Sequence, residues 1–345
     1  MKPSQLFAEL ERIANAGLVA MIWGPVGCGK SSIVRQFVES QGKQLIDLRA
    51  SQLDPVDARG IPGIDPETNL TRWYPPNFLP QDDNTDLFLD EINKANQDTL
   101  ASLYQLILDG RSGDYELPKG SRIYCAGNRE FDQSFVTPMP RALKARLVHL
   151  TLEPDVDEFI EHAIRNNFDE RVVSFIRYRP ELLDEVEAAT RDNNGEKMNV
   201  LKNTNAYGNS RSWEFVSRLV HNPPDLTTAY FSLEGAVGEG SATEFIAYSK
   251  IYNELMDLDA LLDSPDTHKT RLQQITSPSA LYAICTGLIY RANKDNFTNL
   301  IKLSEIVPSE YGTWLVKDTV AQHKDTITDH PAYLKWVAKS LTEDM

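Results

Sequence analysis

Residues 24–31 read GPVGCGKS and match the pattern G-x-x-x-x-G-K-[ST]. The residue types suit a cradle for phosphate. Gly24, Gly27 and Gly29 can take backbone angles closed to other residues, so successive N–H groups can turn inward on an anion. A helix opening at Lys30 would add the positive end of its dipole. Lys30 is placed for the β- and γ-phosphates of a nucleotide, and Ser31 offers a hydroxyl to Mg2+. Gly24, Pro25, Val26, Gly27, Cys28, Gly29, Lys30, Ser31 and Ser32 therefore form the candidate ATP-binding segment.

Two further stretches end an apolar run in polar groups. LFLDE, residues 87–91, would deliver two carboxylates to the carboxyl edge of a sheet, where ligands of open α/β sheets bind. There Asp90 would hold Mg2+, directly or through water, and Glu91 would orient and polarise an attacking water. An apolar run before Asp-Glu is weak evidence alone and gains weight from following a phosphate loop. CAGN, residues 125–128, ends in an amide that could reach the water or the γ-phosphate, or could simply form a turn. Arg146, in MPRALKARLVHL (139–150), and Arg211, in NSRSWEFV (209–216), read by themselves as solvated charges. Phosphoryl transfer gives a reason to want them, because Mg2+ and Lys30 compensate the migrating charge only in part.

These residues need a scaffold that brings them together. LVAMIW (18–23), QLIDLR (44–49), DLFLDE (86–91), RIYCAG (122–127) and LVHLTL (147–152) read as short strands, several of them apolar on both faces. Helical patterns lie between them at 30–39 and 94–108, the second followed by Gly110 as a C-cap. The alternation predicts a parallel α/β sheet with helices on its faces. Beyond about residue 152 the strand signals fade. Residues 155–165, 169–177, 211–221, 242–257, 278–291 and 313–323 read as helices, and 191–210 and 263–279 as loops.

Composition bounds the rest. The 345 residues exceed one ordinary core. Cys28, Cys125 and Cys285 are odd in number and lack CxxC spacing, which argues against a disulfide framework or a zinc site. The net charge of −15 repels nucleic-acid backbones and anionic lipid alike, so neither is expected as a primary partner. The start of the chain carries acidic residues and has no apolar signal core, and no apolar run near it approaches bilayer length, so the expected location is cytoplasmic.

Taken together, the motifs resemble the AAA+ superfamily of ATPases, and within it the MoxR-like branch. GPVGCGKSS, LFLDEIN and AGN occur in the order and spacing of its Walker A, Walker B and sensor-1 motifs. ASQLDPVDARGIPGIDPETNLTRWYPP (50–76) resembles the branch's insertion in the second helix of the ATPase core. MPRALKARLVHL resembles its arginine-finger region, NSRSWEFV its sensor 2, and GAVGEGSATEFIAY (235–248) a lid-helix pattern. The resemblance implies an α/β P-loop core over 1–153, an α-helical lid over 154–255 and a helical extension over 256–345. It implies that Lys30, Ser31, Asp90, Glu91 and Asn128 act within one subunit. Arg211 would touch the phosphates from the lid, and Arg146 would enter the neighbouring subunit's site. Arg141 competes for that last role, and Leu147 stands where the branch usually has an aromatic residue. ATP, Mg2+, a ring of most simply six subunits, and a partner protein, possible examples being those of von Willebrand factor A type, are implied in the same way. Arg72, Trp73 and Tyr74 could grip a client, or could merely pack the insertion's own hairpin. The competing functional classes are a nucleic-acid motor or nuclease-coupled NTPase, and a nucleotide-gated scaffold that barely hydrolyses.

Overall fold

Each of the five apolar runs becomes a strand. A computed structural model describes residues 1–129, 139–191, 204–221, 226–253 and 257–343. The chain divides into two units, Met1–Asp155 and Val156–Met345. In chain order the first holds α1 (Pro3–Asn15), β1 (Ala20–Trp23), α2 (Lys30–Ser40), β2 (Gln44–Arg49), α3 (Pro55–Arg59), β3 (Ile61–Ile64), β4 (Thr71–Tyr74) and β5 (Thr85–Asp90). It continues with α4 (Gln97–Asp109), β6 (Arg111–Ser112), β7 (Tyr115–Glu116), β8 (Ile123–Gly127), α5 (Arg141–Lys144) and β9 (Val148–Thr151).

The main sheet has five strands in the order β2-β5-β8-β1-β9, and every pairing within it is parallel. Strand periodicity sends alternate residues to opposite faces. Ala20, Ile22, Phe88, Tyr124 and Ala126 pack on one face with Leu6, Leu10 and Ile13 of α1 and Val34, Phe37 and Val38 of α2. Met21, Leu87, Leu89, Ile123 and Cys125 pack on the other with Leu100, Leu103, Leu106 and Ile107 of α4. Both faces are dry, which is why these strands read as continuous apolar runs. This is the parallel α/β P-loop fold expected from the sequence.

Local chemistry sets the ends. Asn96 caps α4 by accepting the Thr99 N–H at 2.7 Å, so the helix starts three residues later than expected, after a 3-10 turn over Ile92–Lys94. Gly110 closes it in the left-handed region at φ 64°, as expected of a C-cap. The stretch 50–76 contains α3 and the antiparallel β3–β4 hairpin. In that hairpin Ile61, Ile64, Leu70 and Tyr74 are exposed, and the Arg72 guanidinium lies 5.9 Å from the Tyr74 ring centroid.

The second unit is helical throughout its regular elements. It holds α6 (Val156–Arg165), α7 (Glu170–Tyr178), α8 (Glu185–Arg191), α9 (Ser210–Val220), α10 (Tyr230–Val237), α11 (Glu239–Asn253) and α12 (Leu258–Asp263). There follow α13 (Pro265–Gln273), α14 (Pro278–Arg291), α15 (Phe297–Ser304), α16 (Ser309–Gln322), α17 (Lys324–Ile327) and α18 (Pro331–Glu343). One apolar cluster, from Phe159 to Ile327, joins helices along the length of this unit.

Two loop expectations need comment. Residues 263–279 are not a loop, because α13 occupies most of them. Pro265 sits in its first turn, where a missing N–H costs nothing and the fixed φ already suits a helix. Of the loop expected at 191–210, residues 192–203 lie outside the described residues. The same holds for 254–256 at the end of the helix expected over 242–257. Cys28, Cys125 and Cys285 are buried and in no disulfide, and burial pushes Cys125 and Cys285 up to about 12, so both stay protonated. Among the described residues no helix is long and apolar enough to cross a membrane.

Candidate functional site

The sheet register decides what meets at its carboxyl edge. In β1 Trp23 pairs with Gly127 of β8, and in β2 Arg49 pairs with Asp90 of β5. The segments following β1, β5 and β8 therefore leave the sheet side by side.

After β1 the chain makes the glycine-rich loop expected to bind phosphate. Gly27 and Gly29 have φ of 79° and 90°, a region that strains any residue with a Cβ. Gly24 is needed for space instead, since a Cβ there would stand 3.0 Å from the Leu152 carbonyl oxygen. Gly29 is the N-cap of α2 and offers no side chain to its first-turn N–H groups, leaving that end of the helix suited to an anion. Lys30 is buried at 7% exposure, and its Nζ donates to the carbonyls of Gly24 and Pro25, each at 2.8 Å, and to Asn128 Oδ1 at 3.0 Å. Val26 is exposed at the loop's tip and Cys28 is buried beneath it.

Ser31 Oγ donates to Asp90 Oδ2 at 2.7 Å, and Asp90 Oδ1 accepts the Glu91 N–H at 2.8 Å. Two hard oxygen donors thus stand together at the foot of the loop. That set fits Mg2+, which takes one or two protein oxygens and fills its shell with water and phosphate. Glu91 sits in the left-handed region at φ 54°, uncommon for a residue with a side chain. Its carboxylate is held between Ser51 Oγ at 3.0 Å and Lys94 Nζ at 2.6 Å. Partial burial raises its pKa, but the hydrogen bonds from Lys94 and Ser51 outweigh that, and the carboxyl lies below the ordinary glutamate range.

Asn93 completes the edge. It is buried, its Nδ2 donates to the Asn128 carbonyl at 2.8 Å, and its Oδ1 accepts the Asn128 N–H at 3.2 Å. The side chain thereby fixes the backbone of Asn128 and, through it, the amide that meets Lys30. Asn93, Lys94 and Ser51 were not singled out from the sequence. Asn93 carried the only available signal, a polar residue directly after LFLDEI.

The structure gathers Lys30, Ser31, Asp90, Glu91 and Asn128, and within the same unit Arg141 and Arg146 lie apart from them. Arg146 precedes β9, whose first residue Val148 pairs with Ala20 at the start of β1, so Arg146 leaves from the amino edge of the sheet. Arg141 and Arg146 are both exposed. The turn carrying Arg146 is tied back to the sheet. Trp23 Nε1–H donates to His149 Nδ1 at 2.9 Å, and the other ring nitrogen, which must carry the proton, donates to the Lys144 carbonyl at 2.8 Å. Arg211 lies in the second unit, exposed in the first turn of α9.

No protein-family profile matches the chain, and no curated protein matches it significantly. Among solved structures the chain is similar to NtrX from Brucella abortus in complex with ADP, at 15% identity over 88% of this chain and 68% of that one, with a TM-score of 0.39. It is also similar to the RuvB Holliday junction branch migration motor of Thermotoga maritima, at 16% identity over 90% of this chain and 86% of that one, with a TM-score of 0.38.

The Asn93 bridge yields a test. A Cβ on Gly127 would lie 2.6 Å from Asn93 Oδ1 and 2.8 Å from the Met21 terminal methyl. Gly127→Ala is therefore expected to push Asn93 off Asn128 and destabilise the first unit by about 1–3 kcal/mol, read as a lower midpoint of chemical denaturation. An unchanged midpoint would show that the bridge is not tightly packed.

Proposed function

We propose that the chain is an ATP-hydrolysing AAA+ motor of the MoxR-like kind, working as a ring, most simply a hexamer, to remodel or activate a partner protein. One observation carries the reading. Four residues from three separate segments, Lys30, Ser31, Asp90 and Asn128, are joined by hydrogen bonds of 2.7–3.0 Å at the carboxyl edge of the sheet. No structural need of the sheet accounts for a buried lysine, a serine and a carboxylate there, whereas a nucleotide with its metal uses all three.

In this reading residues 24–32 bind ATP, with the loop N–H groups and the α2 N-terminus around the phosphates. On nucleotide binding the Lys30 ammonium exchanges its loop carbonyls for phosphate oxygens, while Asn128 steadies it. Ser31 and Asp90 hold Mg2+, which neutralises phosphate charge. Glu91 orients and polarises the attacking water, whose oxygen bonds to the γ-phosphorus as the bond to the β-phosphate oxygen breaks, leaving ADP and phosphate. Glu91 is ionised at neutral pH, as an ordinary glutamate would be, and the hydrogen bonds from Lys94 and Ser51 hold its pKa lower still.

Arg146, rather than Arg141, supplies charge to the neighbouring subunit's site. Its departure from the amino edge of the sheet supports an action in trans, since its own phosphate loop lies at the carboxyl edge. Arg211 reaches the phosphates from a lid over 154–255, with 256–345 as an extension that docks on the lid or binds the partner. A partner of von Willebrand factor A type remains part of the proposal through the resemblance alone. The exposed β3–β4 hairpin, with Arg72 and Tyr74, is the segment best shaped to meet a client.

Glu91→Gln is expected to retain ATP binding and to lose turnover by about 10²–10⁴-fold, since only the water-activating group changes; wild-type turnover in that variant would sink the assignment. Arg146→Ala is expected to abolish hydrolysis, and mixing it with Glu91→Gln subunits is expected to restore part of it, because some mixed interfaces contain an intact site. Phosphate release from defined mixtures reads this directly. No recovery at any ratio would contradict the action in trans.

A further inference from the structure

The second unit buries one carboxylate with no cation among the partners that the described geometry gives it. Glu185, the first residue of α8, is 7% exposed. Its Oε1 accepts the Ser241 hydroxyl at 2.6 Å and its Oε2 accepts the Gly208 N–H at 2.7 Å. The Glu185 N–H in turn donates to the Gly208 carbonyl at 3.2 Å. Glu185 and Gly208 thus grip each other through two hydrogen bonds. A buried charge is costly unless its hydrogen bonds are made, so its presence here asks for a reason beyond packing.

The residues that follow Gly208 supply one. Asp184 and Asn209 form an antiparallel bridge beside the Glu185–Gly208 pair. Asn209 is the N-cap of α9: its Oδ1 accepts the Arg211 and Ser212 N–H groups at 3.1 and 3.0 Å, and Ser212 Oγ accepts the Asn209 N–H at 2.8 Å. Trp213, fully buried, donates from Nε1 to the Leu182 carbonyl at 2.7 Å. The turn has no slack, for a Cβ on Gly208 would stand 2.3 Å from that same carbonyl oxygen. The carboxylate fixes the Gly208 peptide, the peptide fixes the Asn209 cap, and the cap fixes where the exposed Arg211 leaves the helix.

We infer that Glu185 is a positioning residue for Arg211, setting the direction in which that guanidinium meets nucleotide phosphate. The inference rests on the reading of Arg211 as a phosphate contact. Glu185 does not touch the nucleotide. Its effect passes through the backbone of residues 208–211, with Ser241 holding the far carboxylate oxygen.

The test measures Mg-ATP affinity of the full chain by calorimetry for Arg211→Ala, Glu185→Ala, Glu185→Gln and the double variant Glu185→Ala/Arg211→Ala. Arg211→Ala should weaken binding by about 10- to 100-fold, as expected for losing a charged hydrogen bond. Glu185→Ala should weaken it comparably, and the double variant no further, because both changes remove one contact. Glu185→Gln should bind nearly as wild type, since its amide oxygen can accept from Gly208 and its NH2 can donate to Ser241 Oγ. A loss in the double variant equal to the product of the single losses would overturn the positioning role, as would unchanged affinity in a folded Glu185→Ala. If Glu185→Ala does not fold, Ser241→Ala decides: a smaller weakening that vanishes in the Arg211→Ala background supports the role, and one that persists there contradicts it. Unchanged affinity in Arg211→Ala itself would bring down the phosphate-contact reading and this inference with it.

Discussion

A lysine buried to 7% exposure must have acceptors, and the acceptors of Lys30 define the carboxyl edge of this sheet. Two are carbonyls of its own loop, those of Gly24 and Pro25. The third is Asn128, reached from the neighbouring strand. That contact exists only because β8 lies beside β1 in the parallel sheet with Gly127 level with Trp23. Strand order, register and a glycine-rich turn are thus all constrained by the placement of one ammonium group. Asn93 extends the constraint by locking the Asn128 backbone to the segment after β5.

The same edge gives two adjacent carboxylates different partners. Ser31 and Asp90 face each other across the foot of the loop, while Glu91, the next residue, turns away through a left-handed backbone and is held by Ser51 and Lys94. Adjacent carboxylates are thereby given different surroundings: one against a hydroxyl and a backbone N–H, the other against an ammonium and a hydroxyl. The proposed division of labour, metal holding by Asp90 and water orientation by Glu91, follows from that difference in partners.

Much of this was legible in the sequence. The strands were: β5 is buried on both faces, while at the sheet edge β2 shows only its partly buried Leu45, Ile46 and Leu48, and both fall within a residue of the expected bounds. The glycine-rich loop was, because the residues that shape it lie within eight consecutive positions. What escaped depends on distant partners. Asn93 matters through a residue 35 positions away, and Glu185 through residues 23 and 56 positions away; local sequence marks Asn93 only as a polar residue after LFLDEI and does not mark Glu185. The helix α13 escaped for a different reason: its proline and its Asp and Thr residues read as loop chemistry, yet at a helix start the same residues are compatible with the first turn. The α1 helix carries Leu6, Leu10 and Ile13 at helical spacing on one buried stripe, a pattern the sequence itself displays.

The central claim is that this edge exists to hold a nucleotide with its metal. It is tested most directly by calorimetric titration of Mg-ATP into the wild-type chain and into Lys30→Ala. The account predicts saturable binding near one nucleotide per chain for the wild type and its loss, or weakening by at least about tenfold, in the variant. Equal affinity in the two proteins, or no binding to either, would contradict it.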